Sequence, residues 1–521
     1  MKLFLRARAV QPKHESKDPN KRPDILKGFI NATLCLVILV PLLAGCVTPE
    51  DPRPGTPTVP ANEGPALPTN PGVEPTPLPA RPNYPPGTLV DYIAQTGDTL
   101  GALAEHFNTS VDLIFEANPI IPADATTMPP GFPMKMPIRY EPSWGTPYQV
   151  LPDSLFINGP AQIGFNAVEY VESQPGWLKN ALVPLSYANL RGGQIVDQVA
   201  LEYSVSPRLL LAMLEYQTGA LTQPDLPDTI DFYTMGVRDL QYKGVYRQLV
   251  WTATKLNEGY YGWRAGTLNS YDRQDGLTIR PDPWQNAASV AIQVYYAAIY
   301  PPEAYNAAVN GAGLAATYAR LFGDQWANVK PHIEGSLHQP EFRLPFSPGS
   351  TWAYTGGPHA AWGTGMPYAA IDFAPPLAVG GCSPSDEQAT AMADGLIIRK
   401  GNALIIQDLD SDGDEHTGWT IMYLHLRNDS LPAVRQVVKA GEPIGYPSCE
   451  GGRATGTHVH VARKYNGEWM PAGWVIPFNL EGWVASDGPV QYEGYLTGPT
   501  RTIRACVCSD QASQIRSTFG Q

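Results

Sequence analysis

The sequence predicts a multidomain chain: a small α+β unit of strand–helix–helix–strand order, a mainly α middle region and an all-β C-terminal region on an antiparallel sheet. Three observations carry this reading. Over residues 88–139, apolar residues recur at helical spacing between two short strand runs. Residues 150–340 keep the helical spacing over longer stretches. Beyond residue 345, short apolar runs alternate with tight-turn pairs. A period near 3.6 marks a helix face, whereas short runs bounded by turn residues mark strands and hairpins.

The chain opens with a segment that reads as a leader. Residues 1–28 are polar and rich in Lys and Arg, residues 29–43 are mostly apolar, and Leu43-Ala44-Gly45-Cys46 follows. The quartet resembles a lipoprotein signal-peptidase site. The resemblance implies removal of residues 1–45, lipidation of Cys46 and an extracytoplasmic protein anchored through lipid to the cell membrane or envelope. The apolar run falls short of the roughly 20 residues of a membrane span. Residues 46–87 are dominated by Pro, Thr, Gly and small residues and read as an extended, semi-rigid spacer. The formal net charge is −13, and no Lys/Arg cluster occurs outside the leader. Nucleic acid is excluded as a partner on that ground.

In residues 88–139, Leu100, Leu103, Ala104 and Phe107 define one buried helix face, and Ser110 is placed to cap a second helix. Tyr92, Gly97-Asp98-Thr99-Leu100, Ala104, Phe107, Ile114, Asn118 and Pro130-Gly131 together resemble a LysM module. The resemblance implies binding of an N-acetylglucosamine-containing glycan. Contacts are expected from loops around Gly97, Asp98, Thr99 and Leu100 and around Asn118. The stretch 119–128 is longer than the family pattern.

In residues 150–340, Ser204-Val205-Ser206-Pro207 reads as a helix start before an apolar helix over 209–214, and a second long helix is expected over 284–300. The run from Leu209 to Gly219 resembles the helix of lysozyme-like lytic transglycosylases, and Gln285-Asn286-Ala287-Ala288 resembles a second motif of that fold. Gln217 stands where that family has its acid, and an amide cannot protonate a glycosidic oxygen. Glu215 lies about 200° round the helix from Gln217 and is a poor substitute. A degenerate, lysozyme-like scaffold is the expectation.

In residues 345–521, apolar runs at 395–400 and 403–407 flank Gly401-Asn402, and Asn466-Gly467 marks another tight turn. Asp408-Leu409-Asp410-Ser411-Asp412-Gly413-Asp414 opens like an EF-hand calcium loop, but its twelfth position is Trp419 rather than Glu. A solvated acidic hairpin loop is the expectation there. Beyond the leader segment and Cys46, the cysteines are Cys382, Cys449, Cys506 and Cys508, and four cysteines allow three pairings. A Cys382–Cys449 bridge is favoured, with the pairing of Cys506 and Cys508 open.

Five of the nine histidines fall between His359 and His460. His and Asp supply the nitrogen and oxygen ligands of zinc, and a catalytic zinc takes three of them plus a water. In an extended strand, His458 and His460 share a face. His425 interrupts an apolar strand-like run, 421–426, where a buried imidazole needs a partner or a task. Thr355-Gly356-Gly357-Pro358-His359, Ile371-Asp372-Phe373, Tyr423-Leu424-His425-Leu426 and Gly456-Thr457-His458-Val459-His460 resemble, in order, the motifs of lysostaphin-type zinc peptidases. The 13-residue step from His359 to Asp372 is like that of the beta-lytic and staphylolysin branch. The resemblance implies zinc held by His359, Asp372 and His460, with His425 and His458 catalytic. An envelope-anchored zinc endopeptidase acting on peptidoglycan stems or cross-bridges is the expected function. The alternative is a non-enzymatic lipoprotein that binds peptidoglycan or activates a separate hydrolase.

Overall fold

The computed structural model describes residues 82–518, apart from 140–143, 187, 231, 378 and 509. The leader, Cys46 and most of the spacer lie outside the described residues. Among the described residues, no helix is long and apolar enough to cross a membrane.

Strand β1 (Thr88–Ile93) pairs antiparallel with β2 (Pro133–Ile138), and helices α1 (Leu100–His106) and α2 (Val111–Ala117) lie between them in sequence. Thr99 and Ser110 cap the two helices by accepting from the amides of Ala102 and Leu113. Those bonds satisfy donors that a helix start leaves open. Leu103, Phe107, Ile114 and Met136 form the centre of this unit's core.

Four longer helices follow: α3 (Gly193–Tyr203), α4 (Pro207–Thr218), α5 (Val245–Arg264) and α6 (Ala287–Ile299). Ser206 caps α4, and Pro207 occupies its first turn, where a missing amide costs nothing. Helix α6 is buried on all sides from Ala287 to Ala297, so its apolar run has no polar face. Gly259 lets α5 approach it, since a Cβ there would stand 2.7 Å from the backbone of Ala291.

The C-terminal region is an antiparallel sheet of nine strands among the described residues. They are β3 (Thr351–Ala360), β4 (Tyr368–Ala374), β5 (Gly395–Gly401), β6 (Leu404–Asp408), β7 (Trp419–Leu424), β8 (Val437–Val438), β9 (Val459–Tyr465), β10 (Glu468–Trp469) and β11 (Gln514–Arg516). Their order across the sheet is β8-β5-β6-β7-β9-β4-β3-β11, and β10 folds back on β9. Both expected hairpins form, through positive-φ residues Asn402 and Ala403 in one and Asn466 and Gly467 in the other. Alternation along the strands gives the sheet two apolar faces. Ile371, Phe373, Tyr423 and Val461 point into one core with Phe346 and Trp352. Ala370, Met422, Leu424 and Ala462 point the other way, into the core of the helices. The helical region therefore roofs one face of the sheet.

A buried polar cluster joins all three regions. Arg264, at the end of α5, lies 3.3 Å from Asp153 and 3.4 Å from Glu468 of the β9–β10 hairpin. It also donates to the carbonyl of Thr96 in the loop before α1 and to Tyr260 Oη. Glu468 accepts from Tyr260 Oη at 2.9 Å and contacts His332 Nε2 at 2.6 Å. Burial opposes charge on Glu468, but Arg264 and His332 outweigh it and hold the carboxyl low.

The residues at which glycan contacts are expected in the first unit also have structural roles. Gly97 is buried against the Arg264 guanidinium, which a Cβ would strike. Asp98 accepts from Tyr92 Oη at 2.6 Å and from the Gln95 amide at 2.7 Å. Thr99 serves as the cap of α1, and Leu100 is buried in the core. Asn118 is buried, bonding Ile114 and both backbone groups of Lys135 at 2.8 Å. These contacts fold the unit and seat it on the helices.

Candidate metal centre

His359 lies near the end of β3, Asp372 in β4 and His460 in β9. Strands β4 and β9 pair directly, with His460 opposite Asp372. The β3–β4 register shifts on both sides of His359. Such bulges re-aim a side chain, and here they turn the imidazole toward the other two residues. Gly356 makes room for the group, because a Cβ there would collide with the Asp372 carboxylate.

The ligand-capable atoms of His359, Asp372 and His460 lie within 4.8 Å of one another, and all three residues are buried. His359 Nε2 is 3.0 Å from His460 Nδ1 and 3.4 Å from Asp372 Oδ1, and His460 Nδ1 is 3.2 Å from that oxygen. The opposite ring nitrogens face carbonyl oxygens: His359 Nδ1 lies 2.8 Å from Gly357 O, and His460 Nε2 lies 3.1 Å from Ala361 O. A carbonyl only accepts, so it fixes the proton on the nitrogen facing it and leaves the other as a lone pair. Two lone pairs and a carboxylate oxygen without a hydrogen-bond donor thus converge on one buried point. That set repels itself unless a cation joins it, and two nitrogens with one oxygen suit zinc.

His425 and His458 flank the group. His458 precedes β9, with Nε2 3.8 Å from Asp372 Oδ1 and Nδ1 held by Gly456 O at 2.8 Å. His425 differs from the expectation of a residue within a strand: β7 ends at Leu424, and His425 follows at φ 66°. Non-glycine residues in that left-handed region are uncommon and cluster at functional sites. Its Nδ1 faces Glu450 O at 2.7 Å, and its ring centroid lies 4.6 Å from that of His458. Burial, aided by His458 and His460, pushes His425 down to about 4, so the ring is neutral at pH 7.

The Cys382–Cys449 bridge is present and ties together the loops that hold the two outer histidines. Glu450 anchors His425, while Gly381 and Ser383 bind the backbone and hydroxyl of Thr457 beside His458. Cys506 and Cys508 are bonded to each other. Tyr492 was not expected at the site. Its ring stacks on His359 with centroids 4.1 Å apart. No motif flags it, and the four anchoring carbonyls are likewise invisible to a reading of side chains.

Among the described residues, the middle region holds no comparable group. Glu215 is buried and accepts from the Leu221 amide, Thr222 Oγ1 and Arg320. Gln217 donates to Tyr295 Oη at 2.8 Å.

Residues 149–335 match the family model described as LasA, N-terminal domain, so the helical region is a LasA-like N-terminal domain. The chain is a homologue of Protease LasA from Pseudomonas aeruginosa, 25% identical over 295 residues, which are 51% of this chain and 65% of the relative. The match thus spans just under two thirds of that relative's length. Among solved structures, the deep-sea M23 metalloprotease pseudoalterin aligns over 32% of this chain and 96% of its own, at 25% identity and a TM-score of 0.27. The catalytic domain of lysostaphin from Staphylococcus simulans aligns over 23% and 88%, at 24% identity and 0.17.

Proposed function

We propose that this protein is a zinc endopeptidase that hydrolyses peptide bonds in peptidoglycan stems or cross-bridges. The observation that carries the reading is the convergence of two carbonyl-oriented imidazole lone pairs and the Asp372 carboxylate. His359, Asp372 and His460 are the ligands in this reading. Zinc held there would supply Lewis acidity toward a carbonyl and would acidify an attacking water. The Nε2 atoms of His425 and His458, left as lone pairs by Glu450 O and Gly456 O, take up the nucleophile's proton and pass it to the leaving amine. Once protonated, either imidazolium donates to the developing oxyanion. Buried Asp372 keeps its charge throughout. Tyr492 shields one face of His359 from water.

The similarity to a protein named as a protease supports the peptidase class. The lipoprotein-like leader supports action outside the cytoplasm, anchored to the envelope, and peptidoglycan is the substrate that location offers. In this reading the helical region and the first unit form the frame on which the sheet is seated. The test is zinc content and peptidoglycan hydrolysis of the full-length protein beside His460→Ala. Stoichiometric zinc and new peptide amino ends, both lost in the variant, are expected. Stoichiometric zinc with no cleavage would favour the hydrolase-activating lipoprotein, and absence of both would overturn the metal reading as well.

A further inference from the structure

A second group of acidic oxygens lies in the loop between β6 and β7, away from the histidines. Asp408, Asp410 and Asp412 each place a carboxylate oxygen within 4.8 Å of the others. An acidic loop alone is commonplace. Asp408 sets this one apart: it is fully buried at the end of β6, and its Oδ1 has no hydrogen-bond partner. A buried carboxylate beside two further carboxylates is costly unless a cation neutralises it, and burial together with Asp410 and Asp412 pushes Asp408 up to about 6. Among the described residues, no ion pair reaches any of the three. Arg399 pairs with Glu415, and His416 Nδ1 lies against Asp414.

The backbone already takes the shape of a cation-binding turn. The Gly413 amide donates to Asp408 Oδ2 at 2.9 Å, and the amides of Asp412 and Asp414 donate to Asp410 and Asp412 at 3.3 and 2.8 Å. Gly413 sits at φ 88°, as the sharp sixth position of such a loop requires. Thr417 Oγ1 holds the second oxygen of Asp412 at 2.7 Å. Gly418, which closes the loop, exchanges backbone and side-chain bonds with Asn466, and Asn466 donates to His332 O. A cation in the loop would stiffen the same hairpin that seats the sheet on the helices.

We propose that Asp408, Asp410 and Asp412 form a calcium site that fixes the β6–β7 loop. Oxygen-only donors supplied by a turn of this shape select a hard cation, and calcium tolerates irregular oxygen geometry better than magnesium. Trp419 replaces the bidentate Glu of a complete loop, so a dissociation constant of about 10⁻⁴–10⁻³ M is expected. The site is independent of the zinc reading.

The test uses the full-length protein with its zinc retained and no chelator, titrated with calcium alone or magnesium alone. Calorimetry should show one calcium per chain, and the melting temperature should rise by several degrees at about 10 mM calcium. Asp408→Asn should abolish both responses. Because Asp408 is buried, the exposed Asp412→Ala serves as a second variant, expected to fold and to bind at least tenfold more weakly. No binding heat and no thermal shift would overturn the proposal, as would full calcium binding by Asp412→Ala. An equal response to magnesium would overturn the choice of calcium.

Discussion

Gly356 shows how a residue without a side chain shapes a site. Any Cβ there meets the Asp372 carboxylate, so Gly356→Ala must displace it from His359 and His460. Outer supports of metal ligands typically contribute 10–100-fold to affinity. Gly356→Ala is expected to weaken zinc binding by about that factor, measured by competition with a chromophoric chelator. His106 makes a different point. It is buried in α1, stacked on Trp263 with centroids 3.4 Å apart, and bonds the Trp263 carbonyl. Burial lowers it to about 3, whereas an unfolded histidine titrates near 6.5. On acidification the unfolded chain binds the proton first, so this contribution is complete above pH ~6.5 and lost as pH falls toward 3. Asp98 runs the other way: burial raises it to about 6, so its contribution is present below ~4 and lost as pH rises through 6. Replacing His106 with Gln isolates the histidine. Between pH 7 and 4.5, the wild type should lose up to about 1.4 kcal/mol per pH unit more than the variant, read by thermal or urea unfolding.

At the scale of elements, the bridge between Cys382 and Cys449 matters through what its loops carry. One loop anchors His425 through Glu450 O, and the other anchors Thr457 next to His458. Neither loop bears a proposed ligand. Replacing both cysteines with Ser should therefore leave zinc content near one per chain while lowering kcat at least tenfold, because a misplaced proton-transfer group costs rate rather than metal. Kinetics beside metal analysis checks this. The bridge closes a separation of 67 residues, and its loss should also cost about 2–4 kcal/mol of stability.

The whole molecule turns on Arg264. One guanidinium touches the loop before α1, the helical region and the β9–β10 hairpin, so the three regions share a single buried charge cluster. Removing one partner of a buried pair strands the others and costs about 3–5 kcal/mol. Arg264→Ala is expected to lower stability by that amount, with amide exchange rising in all three regions together. A change confined to α5 would contradict the shared cluster.

Much of the site was legible in the residues themselves. Spaced histidines and an aspartate, turn pairs between apolar runs, and capped helix starts act through local rules, because periodicity and side-chain chemistry travel with the chain. His359, Asp372, His425, His458 and His460 therefore stand out in sequence, and the structure brings them together. Tertiary structure decided what depends on contacts between distant segments. Four carbonyls choose the tautomers, Gly356 clears space for Asp372, and Tyr492 stacks on His359. Likewise, Gly97 packs on Arg264, Asp98 bonds Tyr92, Thr99 caps α1, and Leu100 and Asn118 are buried, contacts that the residue pattern alone does not show. Sequence determined which groups were available. Burial and approach across the fold decided which of them converge on one another and which pack against the rest of the protein.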